Sequence, residues 1–308
     1  MTARLGLLFL VLLSACVPAA QAGGWENRAA LPEARSEVAS TVAGGRILVL
    51  GGVRGDGSAS RQVDAYDPVL DVWTRLPDLP IGLHHPAAAS WRGRVYVIGG
   101  YRHDGGRTRS LLVLRGGNWR FGPRLPAERA AAGAAVVGDT LVVAGGVGPH
   151  GLARSALLYN LRTGHWRFAP GPTPREHLGV TAWQGKVYVV GGRTAGFASN
   201  LRRFERFLPE QRRWERLPPV PRPRGGTGAA ALNGSIVSVG GEATGGTIRF
   251  VYGYSVAARR WRRLPDLPTP RHGLAVAALG GRVYAIGGGT VPGFSVSTAN
   301  ESLALHAP

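Results

Sequence analysis

Cysteine is all but missing from this chain: Cys16 is the only one in 308 residues, and everything beyond position 22 has none. That part can hold no disulfide framework, no Cys-ligated zinc module and no thiolate nucleophile. Lysine is equally scarce, because Lys186 is the sole lysine among 37 basic residues and the positive charge is arginine's. Arginine dominance of this degree also arises from genomic base composition, with no bearing on a site. Acids are few, 18 against those 37 bases, for a formal charge of +19. Long apolar runs are absent too. The longest, LGLLFLVLL near the N-terminus, has nine residues and is too short to cross a bilayer as a helix. No segment shows the 3.6-residue apolar spacing that would set helices between strands.

What is present in excess is glycine, 47 residues, and much of it is periodic. The runs ILVLGG, VYVIGG, LVVAGG, VYVVGG, IVSVGG and VYAIGG place first glycines at Gly51, Gly99, Gly145, Gly191, Gly240 and Gly287. Their spacings of 48, 46, 46, 49 and 47 residues are those of a propeller or solenoid repeat. A tryptophan follows each of the first five pairs by 20 to 23 residues: Trp73, Trp119, Trp166, Trp214 and Trp261. The sixth pair has none, whereas Trp25 stands 48 residues before Trp73. The last unit therefore finds its missing strand at the other terminus.

Each unit reads as four short strands: in the first, EVASTVA, GRILVLGG, QVDAYDP and VWTRLP. The second has too few polar positions to face water and belongs between neighbouring units. The double glycine, the third-strand aromatic (Tyr66, Tyr159, Phe207, Tyr254) and the tryptophan seven residues later resemble the kelch repeat. The resemblance covers residues 25 to 308; LLVLRGGNW in the second unit departs from it, lacking the tyrosine. It implies an all-β fold: a closed six-bladed kelch β-propeller with four antiparallel strands per blade, the N-terminal strand completing the C-terminal blade. Residues 23–308 are expected to form one domain, monomeric, with no linker.

Residues 1–22 read as a signal peptide, with Arg4 before the apolar stretch and AQA before Gly23. Leu13-Ser14-Ala15-Cys16 also resembles the lipobox of bacterial lipoproteins, in which the cysteine is lipidated. Either Cys16 tethers an exported, periplasmic or outer-membrane protein, or it is a chance cysteine in a cleaved signal of a soluble or secreted one. Without another cysteine the cross-linked radical site of the galactose-oxidase relatives cannot form. The eight histidines show no ligand spacing along the chain, and adjacent His84 and His85 would point to opposite faces of a strand. No metal or other cofactor is expected.

Removing the signal takes away Arg4 and no acid, leaving 36 bases against 18 acids, a balance of +18. Nucleic acid is not an expected partner, since no aromatic-basic binding motif stands out. Much of the charge flanks Trp214 and Trp261 on outermost strands, a basic rim suited to anionic surfaces. Aligned on the glycines, the position sixteen residues upstream holds Arg35, Leu83, Arg129, Arg175, Arg224 and Arg271. Rotation about the propeller axis makes these a ring, in the loop leading into each innermost strand. The loops after the glycines open on the same face and bring Arg193 beside it, as the entry loop brings His84. Such a mouth suits a carboxylate or phosphate, because the guanidinium fork matches both oxygens. Kelch domains that capture acidic peptides use arginines of these loops, and the resemblance carries that expectation to Arg35, Arg129, Arg175, Arg224, Arg271, His84 and Arg193. The alternative is a scaffold in which the arginines hold carbonyls between blades.

An enzymatic reading stands beside the binding one. GGEATGGTIR resembles a loop of the sialic-acid epimerases, also six-bladed kelch propellers, whose glutamate and downstream arginine serve the active site. Glu242 and Arg249 match in type, one residue further apart. The resemblance implies that Arg249 holds a sugar carboxylate while Glu242 moves a proton at the anomeric carbon. The two hypotheses are thus a binding module for an acidic sugar, polysaccharide or acidic protein loop, and a sugar-acid mutarotase or epimerase.

Overall fold

The computed structural model describes residues 24–305, so the expectations for the signal segment and for Cys16 lie outside the described residues. Six four-stranded antiparallel sheets surround an axis; five run from an innermost to an outermost strand in chain order, and the sixth takes its outermost strand from the N-terminal end. Blade 1 is Ala39–Ala43, Arg46–Leu50, Val63–Asp67 and Val72–Leu76. Blades 2 to 5 begin at Ala87–Trp91, Gly133–Val137, Glu176–Trp183 and Gly228–Leu232. Blade 6 takes Ala275–Leu279, Arg282–Ile286 and Asn300–Ala304 from the C-terminal end and Trp25–Asn27 from the N-terminal end, with Trp25 opposite Leu303. The only helical piece described is a 3-10 turn at Phe197–Ser199.

The sequence pattern follows from position in the blade. Innermost strands crowd the axis and are built of small residues, as in Ala87–Trp91 and Gly228–Leu232. Second strands are covered on both faces by adjacent blades, which is why Ile47 to Leu50 and Val187 to Val190 are apolar without alternation and fully buried. The third-strand aromatic sits directly across from the outer-strand tryptophan, as Tyr66 does from Trp73 and Phe207 from Trp214, with ring centroids 5.0 and 5.1 Å apart.

Two repeated latches join the blades. Each of the six outer-strand tryptophans donates its indole N–H to a backbone carbonyl of the preceding blade's edge: Trp73 to Ala29, Trp119 to Pro77, Trp166 to Pro123, Trp214 to Pro170, Trp261 to Pro218 and Trp25 to Pro265, at 2.7–2.9 Å. Trp25 thus performs at the closure what an outer strand does elsewhere. The glycine pairs form the second latch. Gly100 N–H donates to the Arg129 carbonyl, and a Cβ on Gly99 would stand 2.0 Å from that same oxygen. With φ of +61° and +97°, this pair accepts neither the clash nor the backbone shape from a larger residue.

Candidate functional site

The five ring arginines occupy equivalent positions, but the blades treat them differently. Second-strand register places Asp64, Leu112, Leu157, Glu205, Tyr252 and Glu301 at matching third-strand positions of blades 1 to 6. Arg35, Arg175 and Arg271, all fully buried, turn into their own blades and form ion pairs with Asp64, Glu205 and Glu301. Arg271 also donates to the carbonyls of Gly287, Thr269 and Ala285 at 2.7–2.8 Å. Arg224 has Tyr252 in place of a carboxylate; its guanidinium lies 5.2 Å from that ring and donates to Ser238 Oγ and the Phe250 carbonyl. In blade 2 both members are exchanged together, Leu83 with Leu112. The expectation that these arginines face a ligand is therefore corrected for Arg35, Arg175, Arg224 and Arg271: they are sealed ties within the blades.

Blade 3 alone sets arginine against leucine. Arg129 is 2 % exposed, and among the described residues its side chain makes no hydrogen bond or ion pair. Burial alone pushes the guanidinium down to about 10, so it still carries its charge at neutral pH. It lines a cavity of about 290 Å³ together with His150, Leu152, Arg154 and Phe168.

At the axis, a second ring lies two residues beyond the first. Glu37, His85, Ala131, His177, Gly226 and Gly273 all take positive φ, from +50° to +67°. Each amide from His85 to Gly273 donates to the carbonyl of the preceding ring member, and Val38 N–H closes the circle onto Gly273. For the four non-glycine members this backbone is strained by about 1–2 kcal/mol each, offset by the inter-blade hydrogen bonds. The intervening residues pair with the post-glycine loops: His84 with Tyr101, Glu176 with Arg193, Gly225 with Glu242 and His272 with Gly289.

These rings gather His84, His85, His177, His272, Glu37, Glu176, Glu242 and Arg193 around the mouth. His85 Nε2 lies 3.1 Å from Glu37 Oε2 and 3.0 Å from His177 Nε2. Burial lowers His85 to about 3, against the pull of Glu37, so its imidazole is neutral. His272 has an acceptor at each nitrogen, Glu37 Oε1 and the Val291 carbonyl, both at 3.1 Å. Burial opposes its charge, but Glu37 and Glu242 outweigh it and raise the pKa. Burial works against ionisation of Glu37 as well, and the hydrogen bond with His272 helps hold its carboxyl well below the usual range.

Of the residues singled out from sequence, His84 and Arg193 join this cluster. His84 Nδ1 is 2.7 Å from His85 Nδ1, and Arg193 bridges Glu176 and Glu242 at 3.3 and 2.6 Å. Glu242 is 1 % exposed, capped by Arg193 and by the Gly293 amide. Arg249 is not beside it. Its side chain is 62 % exposed and pairs with Asp266, so the Glu242 and Arg249 couple expected for sugar chemistry is not brought together. The histidines that show no ligand spacing along the chain are nonetheless grouped in space, since Glu37, His85 and His177 converge from three blades. A strand would point His84 and His85 to opposite faces, but the positive φ of His85 bends the chain there and the two imidazoles meet. The offset of two from the arginine ring was the signal available in the sequence.

Comparison with known proteins agrees with this architecture. A family model described as the KLHDC2/KLHL20/DRC7 Kelch-repeats domain matches residues 85–288, and the Kelch motif matches residues 34–80. Beta-scruin of Limulus polyphemus is 39% identical over 56 residues, which are 18% of this chain and 6% of that protein, so the chain spans a small part of it.

Proposed function

The chain belongs to the kelch-repeat family, and on that premise we propose that it is an interaction module that binds an anionic ligand, an acidic sugar, polysaccharide or acidic protein loop, through Arg129. The observation that carries this is the mismatch in blade 3. Where three blades neutralise the buried arginine with a carboxylate and a fourth supplies an aromatic face, blade 3 leaves Arg129 opposite Leu157. An unpaired buried charge is costly, and a carboxylate or phosphate entering the adjoining cavity removes that cost. Arg154 at the cavity rim extends the same sign of charge, and exposed Phe168 offers a flat apolar wall. Attraction over longer range comes from the arginine excess of the whole molecule.

Blade 2 supplies the test. Arg129→Leu copies its Leu83 and Leu112 pair and should fold at least as stably as the parent. Saturation-transfer NMR at low salt with glucuronate, N-acetylneuraminate and a glutamate-rich peptide should show contact for the parent and none for the variant. Absence of contact with all three, or equal contact in Arg129→Leu, overturns the reading.

A further inference from the structure

We propose that Glu37, His85 and His177 form a binding site for a divalent transition-metal ion of the zinc type at the mouth of the central channel. The three candidate ligand atoms, Glu37 Oε2, His85 Nε2 and His177 Nε2, stand 3.0, 3.1 and 3.9 Å from one another. Tetrahedral ligands about 2.0–2.1 Å from a common ion lie roughly 3.3 Å apart, so the triangle already has the size of a coordination face. Two imidazoles and one carboxylate are a ligand set that zinc and similar ions accept, leaving at least one position for water or a ligand oxygen.

The surroundings help position the ligands. Glu176, itself bound by Arg193, brings Oε1 within 3.3 Å of His177 Nδ1, a charge contact without hydrogen-bond alignment. His85 Nδ1 meets His84, and the second oxygen of Glu37 meets His272. Partners of this kind fix which nitrogen faces the ion. Proton counting points the same way. Three electron-pair donors face one another, and a single N–H on His85 serves only one of its two neighbours at a time. A cation at the centre satisfies all three. The ligands are 9–15% exposed at their side chains and border a cavity of about 140 Å³ on the axis. The other candidate grouping, Glu37, Glu242 and His272, is less suitable because both nitrogens of His272 already face oxygen acceptors.

The site is independent of Arg129. Chelator-stripped full-length protein titrated with Co²⁺ should develop visible absorption saturating at one ion per chain, displaced by Zn²⁺ and not by excess Mg²⁺. His177→Asn, which tolerates positive φ, and Glu37→Gln should each abolish saturable binding. Glu176→Gln should weaken it about tenfold while keeping one ion per chain. The exposed pair His103→Asn with His165→Asn should bind as the parent does. Failure of the parent to bind Co²⁺ or Zn²⁺ stoichiometrically, displacement by Mg²⁺, or loss of binding in the exposed-histidine pair overturns the proposal.

Discussion

At the scale of single residues, burial reverses the meaning of charge. Arg175 and Glu205 neutralise one another in blade 4, where both are withdrawn from solvent. Glu205→Ala leaves the guanidinium unpaired and should cost about 3–5 kcal/mol, measured by urea unfolding. Arg249→Ala removes an arginine from the surface and should stay within about 0.5 kcal/mol. Asp71 gives a pH-dependent case. The Tyr66 hydroxyl and the Ala29 amide both donate to it and lower its pKa below 3.8. A depressed carboxylate stabilises above its unfolded value and loses that contribution as pH falls through the folded one. Parent and Asp71→Asn should therefore differ in urea midpoint at pH 7 and converge as pH falls below the ordinary carboxylate range; a gap that persists in strong acid refutes the assignment. The residue types were legible in the sequence. The direction of each guanidinium was not, since it depends on whether a third-strand carboxylate lies in reach.

At the scale of elements, closure rests on three residues. Trp25–Asn27 pairs with Asn300–Ala304, and the Trp25 indole latches to Pro265. Without this strand the third strand of blade 6 becomes an edge with unpaired backbone groups. Removing residues 24–28 should lower the melting temperature and produce association in size-exclusion chromatography; a monodisperse monomer of unchanged stability would contradict the closure role. The element count and the closing partner were readable because strand length, the glycine pair and the tryptophan recur locally in each unit. The bridges between entry and post-glycine loops were not: they recur 17 residues apart in every blade, but pairs such as His84 with Tyr101 and Glu176 with Arg193 share no residue type that would mark them.

At the scale of the whole molecule, the charge acts as a field. Arg212, Arg213, Arg216, Arg259, Arg260, Arg262 and Arg263 are exposed on the adjoining outer edges of blades 4 and 5, with Arg259 3.8 Å from Glu215 across the boundary. Binding to polygalacturonate should weaken as ionic strength shortens the screening length toward about 8 Å. Arg129→Leu should leave that salt-sensitive component and remove only the contact seen with small acids. Salt-independent binding of the polymer would refute the long-range contribution. By itself the sequence determined the number of blades, their strand order, the seam and the net charge, since each is written in spacing and composition. Only the tertiary structure decided which charges are free and which side chains meet. Rotation about the axis brings Glu37, His85 and His177 together from three blades, and burial hides all five arginines that the same rotation had placed in a ring, four of them tied to partners within their own blades.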